Sequence, residues 1–407
     1  MLAQSLPAEE TVRLVAVRGG IGAVPGVRLA GVHAGIKPRK RDLAVVVFDE
    51  AQVCASVITT NEIKAAPVLV SAEHIALDGT FQAIVCNSGC ANACTGARGD
   101  RDARATARQA GALLKVPATS VIVASTGVIG VPLPMDRVQR GLERAIDQLE
   151  HGLKSSNDAA EAIMTTDRVP KLAAYEFYVG EKKYTVGGIA KGSGMIAPNM
   201  ATMLAFVATN LPMPAEALQH ELRDAADATF NMISIDGCMS TNDAVYAFAP
   251  ARNGKPPAAF AKALHHVCQD LALAMVADGE GATKTLTVHV TGAKDLAQAR
   301  TIGRAVINSN LVRTALYGED PNWGRVIAAA GAVNAGLDPD TWSLLLNGKT
   351  WVETGAIEVL SEAEAHRELE ITDIVVELRL GIGDASATAW GCDLSKDYVR
   401  INANYRT

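Results

Sequence analysis

The chain has 407 residues, with 38 Lys and Arg against 44 Asp and Glu for a formal net charge of −6, and it is 49% hydrophobic and 20% charged. That composition is globular, long enough to bury a core without staples, and the short cluster Lys37-Pro38-Arg39-Lys40-Arg41 is no basic stripe, which argues against a nucleic-acid partner. Met1–Arg18 has no basic-then-apolar leader, no run approaches roughly 18 apolar residues, and the seven cysteines form an odd set, so a cytoplasmic chain with reduced thiols and no membrane span is expected.

In chain order, β-branched runs bounded by turn residues predict strands at Leu43–Phe48, Gln52–Ile58, Gln82–Cys86 and Ser120–Ala124. Helical periodicity predicts helices over Ala103–Leu114 and Met135–Leu153. Strands follow at Ala173–Val179, Lys183–Val186 and Met203–Ala208, then a helix over Pro214–Ile233 and a strand at Ala244–Ala249. Pro257–Ala277 reads as a helix, and Lys284–Val290 and Ile374–Leu380 as strands. Pro134 and Pro214 sit at or just ahead of first turns, where a missing N–H is harmless. The alternation predicts an α/β or α+β layered fold.

Two Gly-rich segments punctuate this pattern. Ser125–Gly130 follows an apolar strand, and Lys191–Thr202 leads into one, and neither has the spacing of a dinucleotide or P-loop fingerprint. Thr202 opens the apolar run Met203–Ala208, behind the small residue Ala201 and the conformationally free Gly192 and Gly194. Those are the ingredients of an N→O acyl shift, in which a Thr hydroxyl attacks the preceding carbonyl and hydrolysis of the ester breaks the chain. The freed α-amine, with a pKa of roughly 8, can then serve as general base for its own Oγ. By spacing alone the segment reads more readily as a plain turn before a strand.

The segment KGSGMIAPNMATML, Lys191–Leu204, resembles the cleavage-site motif of the ornithine acetyltransferase (glutamate N-acetyltransferase) family of arginine biosynthesis. Further blocks match in order: Thr59-Thr60-Asn61, Asn87-Ser88-Gly89, Ser125–Gly130, Ser240-Thr241-Asn242-Asp243, Gly279–Lys284, Gly318–Arg325 and Asn402–Thr407. The resemblance implies an N-terminal-nucleophile-like, self-cleaving fold, cut at Ala201–Thr202 into an α chain 1–201 and a β chain 202–407. It implies Thr202 as nucleophile, Thr126 and Gly127 as oxyanion hole, and Thr165, Lys191, Thr202, Glu280, Asn402 and Thr407 as substrate contacts. An acetyl group would pass from N2-acetylornithine to glutamate through an acetyl-Thr202 ester, without cofactor or metal, in an α2β2 assembly. Bifunctional members also take acetyl-CoA as donor. Lys191 would lower the pKa of the new amine by charge repulsion.

Two departures stand out, Cys90 in place of an expected Asn and Cys238-Met239 in place of a polar pair. On a helix, Cys86, Cys90 and Cys94 would share a face, but the surrounding turn residues favour small buried thiols over a metal site. The competing readings are a hydrolase or aminopeptidase on the same self-cleaving scaffold, and an uncleaved regulatory homologue.

Overall fold

The apolar runs pair into two sheets in the computed structural model, which describes residues 13–77, 79–197, 203–355 and 357–404. Nine strands make the first: β1 (Leu14–Ala16), β2 (Val27–Val32), β3 (Leu43–Ile58), β4 (Phe81–Cys90), β5 (Val121–Val128), β6 (Lys171–Val179), β7 (Lys182–Lys191), β8 (Leu204–Thr209) and β9 (Ala244–Pro250). They run in the order β1-β6-β7-β8-β9-β3-β4-β5, with β2 paired to β3. The second sheet holds β10 (Thr285–Ala293), β11 (Ser343–Leu346), β12 (Lys349–Glu353), β13 (Ile357–Glu358), β14 (Asp373–Arg379) and β15 (Ala385–Cys392), ordered β13-β12-β11-β14-β10-β15.

Helices cover both faces of the first sheet. They are α1 (Ala66–Ala76), α2 (Gly96–Leu114), α3 (Met135–Asp147), α4 (Leu153–Ile163), α5 (Ala215–Ala228) and α6 (Ala258–Ala277), followed by α7 (Leu296–Asn308), α8 (Asn310–Gly318), α9 (Trp323–Gly331), α10 (Glu362–Leu369) and α11 (Lys396–Asn404). Along β8, Ala205 and Val207 join a core with α5, α6 and the second sheet, while Leu204, Phe206 and Ala208 join the opposite core with α4. A strand buried on both faces reads as a continuous apolar run, which is why Met203–Ala208 shows no polar alternation. The expected layered α/β architecture is present, and among the described residues no helix is long and apolar enough to cross a membrane.

The structure changes three predicted elements, and the simplest case is the helix expected over Pro214–Ile233, which ends at Ala228 ahead of a short 3-10 turn at Phe230–Met232. The strands expected at 43–48 and 52–58 are one strand, β3, whose exposed Asp49, Glu50 and Ala51 mark a change of partner. Its first part pairs with β2 and β4, its last part with β9. The helix expected over Met135–Leu153 ends at Asp147 and a second begins at Leu153. Between them Glu150 exchanges backbone hydrogen bonds with Leu29 (2.9 and 3.1 Å), and Gly152 turns the chain at φ +94°. Tertiary pairing outweighs local periodicity there.

Candidate active site

β4 and β5 run parallel and finish side by side, with Ser88 opposite Thr126 and Gly89 opposite Gly127. Ser125 Oγ donates to Asn87 Oδ1 (2.6 Å), and Asn87 Nδ2 donates to the Cys90 carbonyl (2.8 Å). Asn242, just before β9, donates from Nδ2 to the carbonyls of Ala91 (2.7 Å) and Ser125 (2.8 Å), bracing both strand ends. Gly127 sits at φ +127°, and a Cβ there would lie 2.5 Å from the Gly89 carbonyl carbon, so only glycine fits. Thr126 is 5% exposed, and its hydroxyl has no hydrogen-bond partner among the described residues.

Lys191 ends β7 in a similarly enclosed position. It is 2% exposed, and its ammonium has no hydrogen-bond or ion-pair partner among the described residues. Behind it lies a buried charge network. Asp167 accepts from Thr165 N (3.0 Å), Gly192 N (2.7 Å) and Lys171 Nζ (2.7 Å). Lys171 also donates to Asp278 Oδ2 (2.7 Å), which stands beside Arg168. Burial opposes ionisation of Asp167, but Lys191 and Lys171 prevail and hold its pKa down to about 2. One carboxylate thus fixes two walls, the Thr165 turn and the start of the Gly-rich loop.

Glu280 forms the facing wall. Its N–H donates to the Ser193 carbonyl (2.7 Å), and its Oε2 accepts from Asn402 Nδ2 (2.7 Å). The carboxyl lies against Gly194, where a Cβ would come within 2.4 Å of Glu280 Cδ. Asp236 clamps the same loop by accepting from Met195 N, Ile196 N (2.9 Å) and Cys238 N (3.1 Å), and from the Tyr398 hydroxyl (3.2 Å). Burial raises the Asp236 pKa against those donors.

Thr126, Gly127, Thr165, Lys191, Glu280 and Asn402, drawn from distant segments, line one cleft of about 710 Å³ that opens to solvent. Ala201, Thr202 and Thr407 lie outside the described residues. Residue-type reasoning passed over Asp167, Asp236, Asn242 and Tyr398. Asn242 lies within a block quoted above, and Asp167 and Asp236 lie close to the named Thr165 and Cys238, but the bonds that make them count reach Gly192, Met195, Ile196, Ala91 and Ser125 in other segments. Cys238 is exposed and lines the cleft. Cys86 and Cys90 lie on β4, so the one-face helical arrangement does not arise, and among the described residues no His, Cys, Asp or Glu group could hold a metal. Burial pushes the Cys86 thiol up to about 12 and raises that of Cys90.

A profile of the ArgJ family matches residues 28–407. The arginine biosynthesis bifunctional protein ArgJ of Symbiobacterium thermophilum is 47% identical over 400 residues, covering 96% of this chain and 99% of its own. Its counterpart in Bacillus cereus is 42% identical over 397 residues, covering 96% and 97%. A solved chain of ornithine acetyltransferase from Mycobacterium tuberculosis, complexed with ornithine, is 41% identical over 46% of this chain and 98% of its own, with a TM-score of 0.42. The chain belongs to the ArgJ family, the acetyltransferases of arginine biosynthesis.

Proposed function

We propose that the chain cuts itself between Ala201 and Thr202 and then carries acetyl on Thr202 Oγ from N2-acetylornithine to glutamate. The observation that carries this reading is the Lys191 ammonium, buried at the cleft in the field of Asp167 but in no direct hydrogen bond or ion pair with any described residue. An anion in direct contact offsets the desolvation of a buried cation, and both substrates bring an α-carboxylate. Glu280, held by Asn402, is the complementary acid for the side-chain ammonium of ornithine.

The Thr202 α-amine takes the Oγ proton as Oγ attacks the acetyl carbonyl. The Thr126 hydroxyl and the Gly127 N–H receive the oxyanion, and donors set for developing charge cost no reorganisation at the moment of reaction. Collapse of the tetrahedral adduct breaks the amide bond, and the α-ammonium gives its proton to departing ornithine. The amine of glutamate then attacks the acetyl-Thr202 ester and leaves as N-acetylglutamate. The ester splits one hard exchange into two easier steps and needs no cofactor. Because its curated relatives are named bifunctional, we also assign acetyl-CoA as a second donor. The enzyme would work in the cytoplasm as an α2β2 assembly of chains 1–201 and 202–407.

Intact mass and acetyl-transfer assays of wild type and Thr202→Ala test this. Wild type yields two fragments and transfers acetyl from acetylornithine, while the variant stays whole and inactive. Wild type that stays whole at full activity, or that releases free acetate instead of acetylglutamate, sinks the reading.

A further inference from the structure

The basic cluster Lys37-Pro38-Arg39-Lys40-Arg41 has no task in the mechanism above, yet the fold holds it beside the site. It lies in the turn between β2 and β3, built around Asp42, which is 0% exposed. That carboxylate accepts the N–H groups of Ala34, Gly35 and Lys37, the last two at 3.0 and 2.9 Å. Arg144 of α3 donates to the His33 carbonyl at 2.7 Å and pins the same turn. The Lys37 stem lies against Gly89, where a Cβ would come within 2.7 Å of Lys37 Cγ. Gly89 stands opposite Gly127, and the Lys37 ammonium runs on to the carbonyl of Met164, 3.0 Å away and just before Thr165.

Lys37, Lys40 and Arg168 line a second groove, of about 800 Å³, and Thr165 is a wall of this groove and of the cleft alike. The acids that line it are engaged: Asp158 pairs with Arg41 (2.8 Å) and Lys154 (3.6 Å), and Glu161 with Arg41 (3.4 Å). Arg168 pairs with Asp278 through Nε. Lys37 and Lys40 are in no ion pair with any described residue. Burial lowers the Lys37 pKa from its ordinary 10.5, and Asp42 opposes the shift, as an arriving anion also does.

We propose that this groove holds the phosphates of acetyl-CoA, whose pantetheine arm passes Thr165 into the cleft. This rests on the reading above, in which acetyl-CoA is the second donor. The cleft itself sets Lys191 against Glu280 and Asp236, a mixture that suits an amino acid and disfavours a polyanion. The long pantetheine arm requires the phosphates to lie apart from the reacting carbonyl, and the groove on the far side of Thr165 supplies two ammonium groups free to meet them. Acetylornithine has no phosphate and does not need the groove.

The test is the double variant Lys37→Gln with Lys40→Gln, in the full chain after cleavage, assayed with three donors: acetyl-CoA, acetylpantetheine and acetylornithine. KM for acetyl-CoA should rise about ten-fold, while KM for the two donors without a nucleotide phosphate stays within about twofold. Added salt should cut kcat/KM for acetyl-CoA more in wild type than in the variant. An acetyl-CoA KM that is unchanged, or that rises only in step with the other two donors, overturns the proposal. So does inhibition by inorganic phosphate as strong as that by CoA, because the groove would then be a site for free anions. Should the double variant fail to fold, Lys40→Gln alone, at an exposed side chain, should raise the acetyl-CoA KM about threefold and is scored by the same outcomes. Failure of the underlying reading is distinct: wild type that turns over acetylornithine but neither thioester has no second donor, and the proposal falls with it.

Discussion

Thr126 and Lys191 line the cleft with polar groups that have no hydrogen-bond partner among the described residues, and each should respond to substitution in its own way. Thr126→Val removes one oxyanion donor and should lower kcat by about 100- to 1,000-fold while KM moves little; steady-state kinetics showing less than a threefold loss would take Thr126 out of the chemistry. Lys191→Met removes both a carboxylate anchor and a positive charge. It should raise KM for glutamate and move the acid limb of kcat to higher pH, and an unchanged pH–rate profile removes the charge-repulsion role. At this scale much was legible. Thr126, Gly127, Lys191 and Glu280 stand in short segments that the family resemblance marked, whereas residue type and spacing alone did not single them out. Asp236 and Asp167 were not, because their work is done through backbone N–H groups at Met195, Ile196 and Gly192 that only folding brings to them.

Among elements, the turn between α4 and β6 depends on Lys171, whose ammonium is 0% exposed between Asp167 and Asp278. Lys171→Met leaves two buried carboxylates facing each other and should lower stability by about 3–5 kcal/mol, measured by urea unfolding. The pH dependence follows from the depressed Asp167. Its pKa is about 2 in the fold against about 3.9 unfolded, so its contribution is present above about pH 4 and lost as pH falls through about 2. That contribution is about 2–3 kcal/mol, and Asp167→Asn should flatten the acid limb of a stability–pH curve in that window. Helices α5 and α6 were legible from period and proline, with Pro214 and Pro257 capping them in extended conformations. The α3–α4 break was not, since a bridge to Leu29, far off in sequence, ends a helix that its own residues would continue.

In the whole molecule, the proposed cut at 201–202 does not divide one sheet from the other. β8 and β9 come after it, yet they lie in the middle of the first sheet between β7 and β3. β7 and β8 share the register from Val186 opposite Thr209 to Lys191 opposite Leu204, and Arg168 and Lys171 reach across the cut to Asp278. Cleaved chains should therefore migrate as one species on native size exclusion and separate only on unfolding. Fragments that part under native conditions would contradict this arrangement. The sequence by itself determined the layered α/β class, the family and most of the residues at the cleft, because local period and ordered motif blocks survive without folding. Tertiary structure alone decided that Thr126, Thr165, Lys191, Glu280 and Asn402 meet in one cleft and that Asp167, Lys171 and Asp278 support its walls. Hydrogen bonds between distant segments and burial of charge are properties of the packed chain, and no local pattern encodes them.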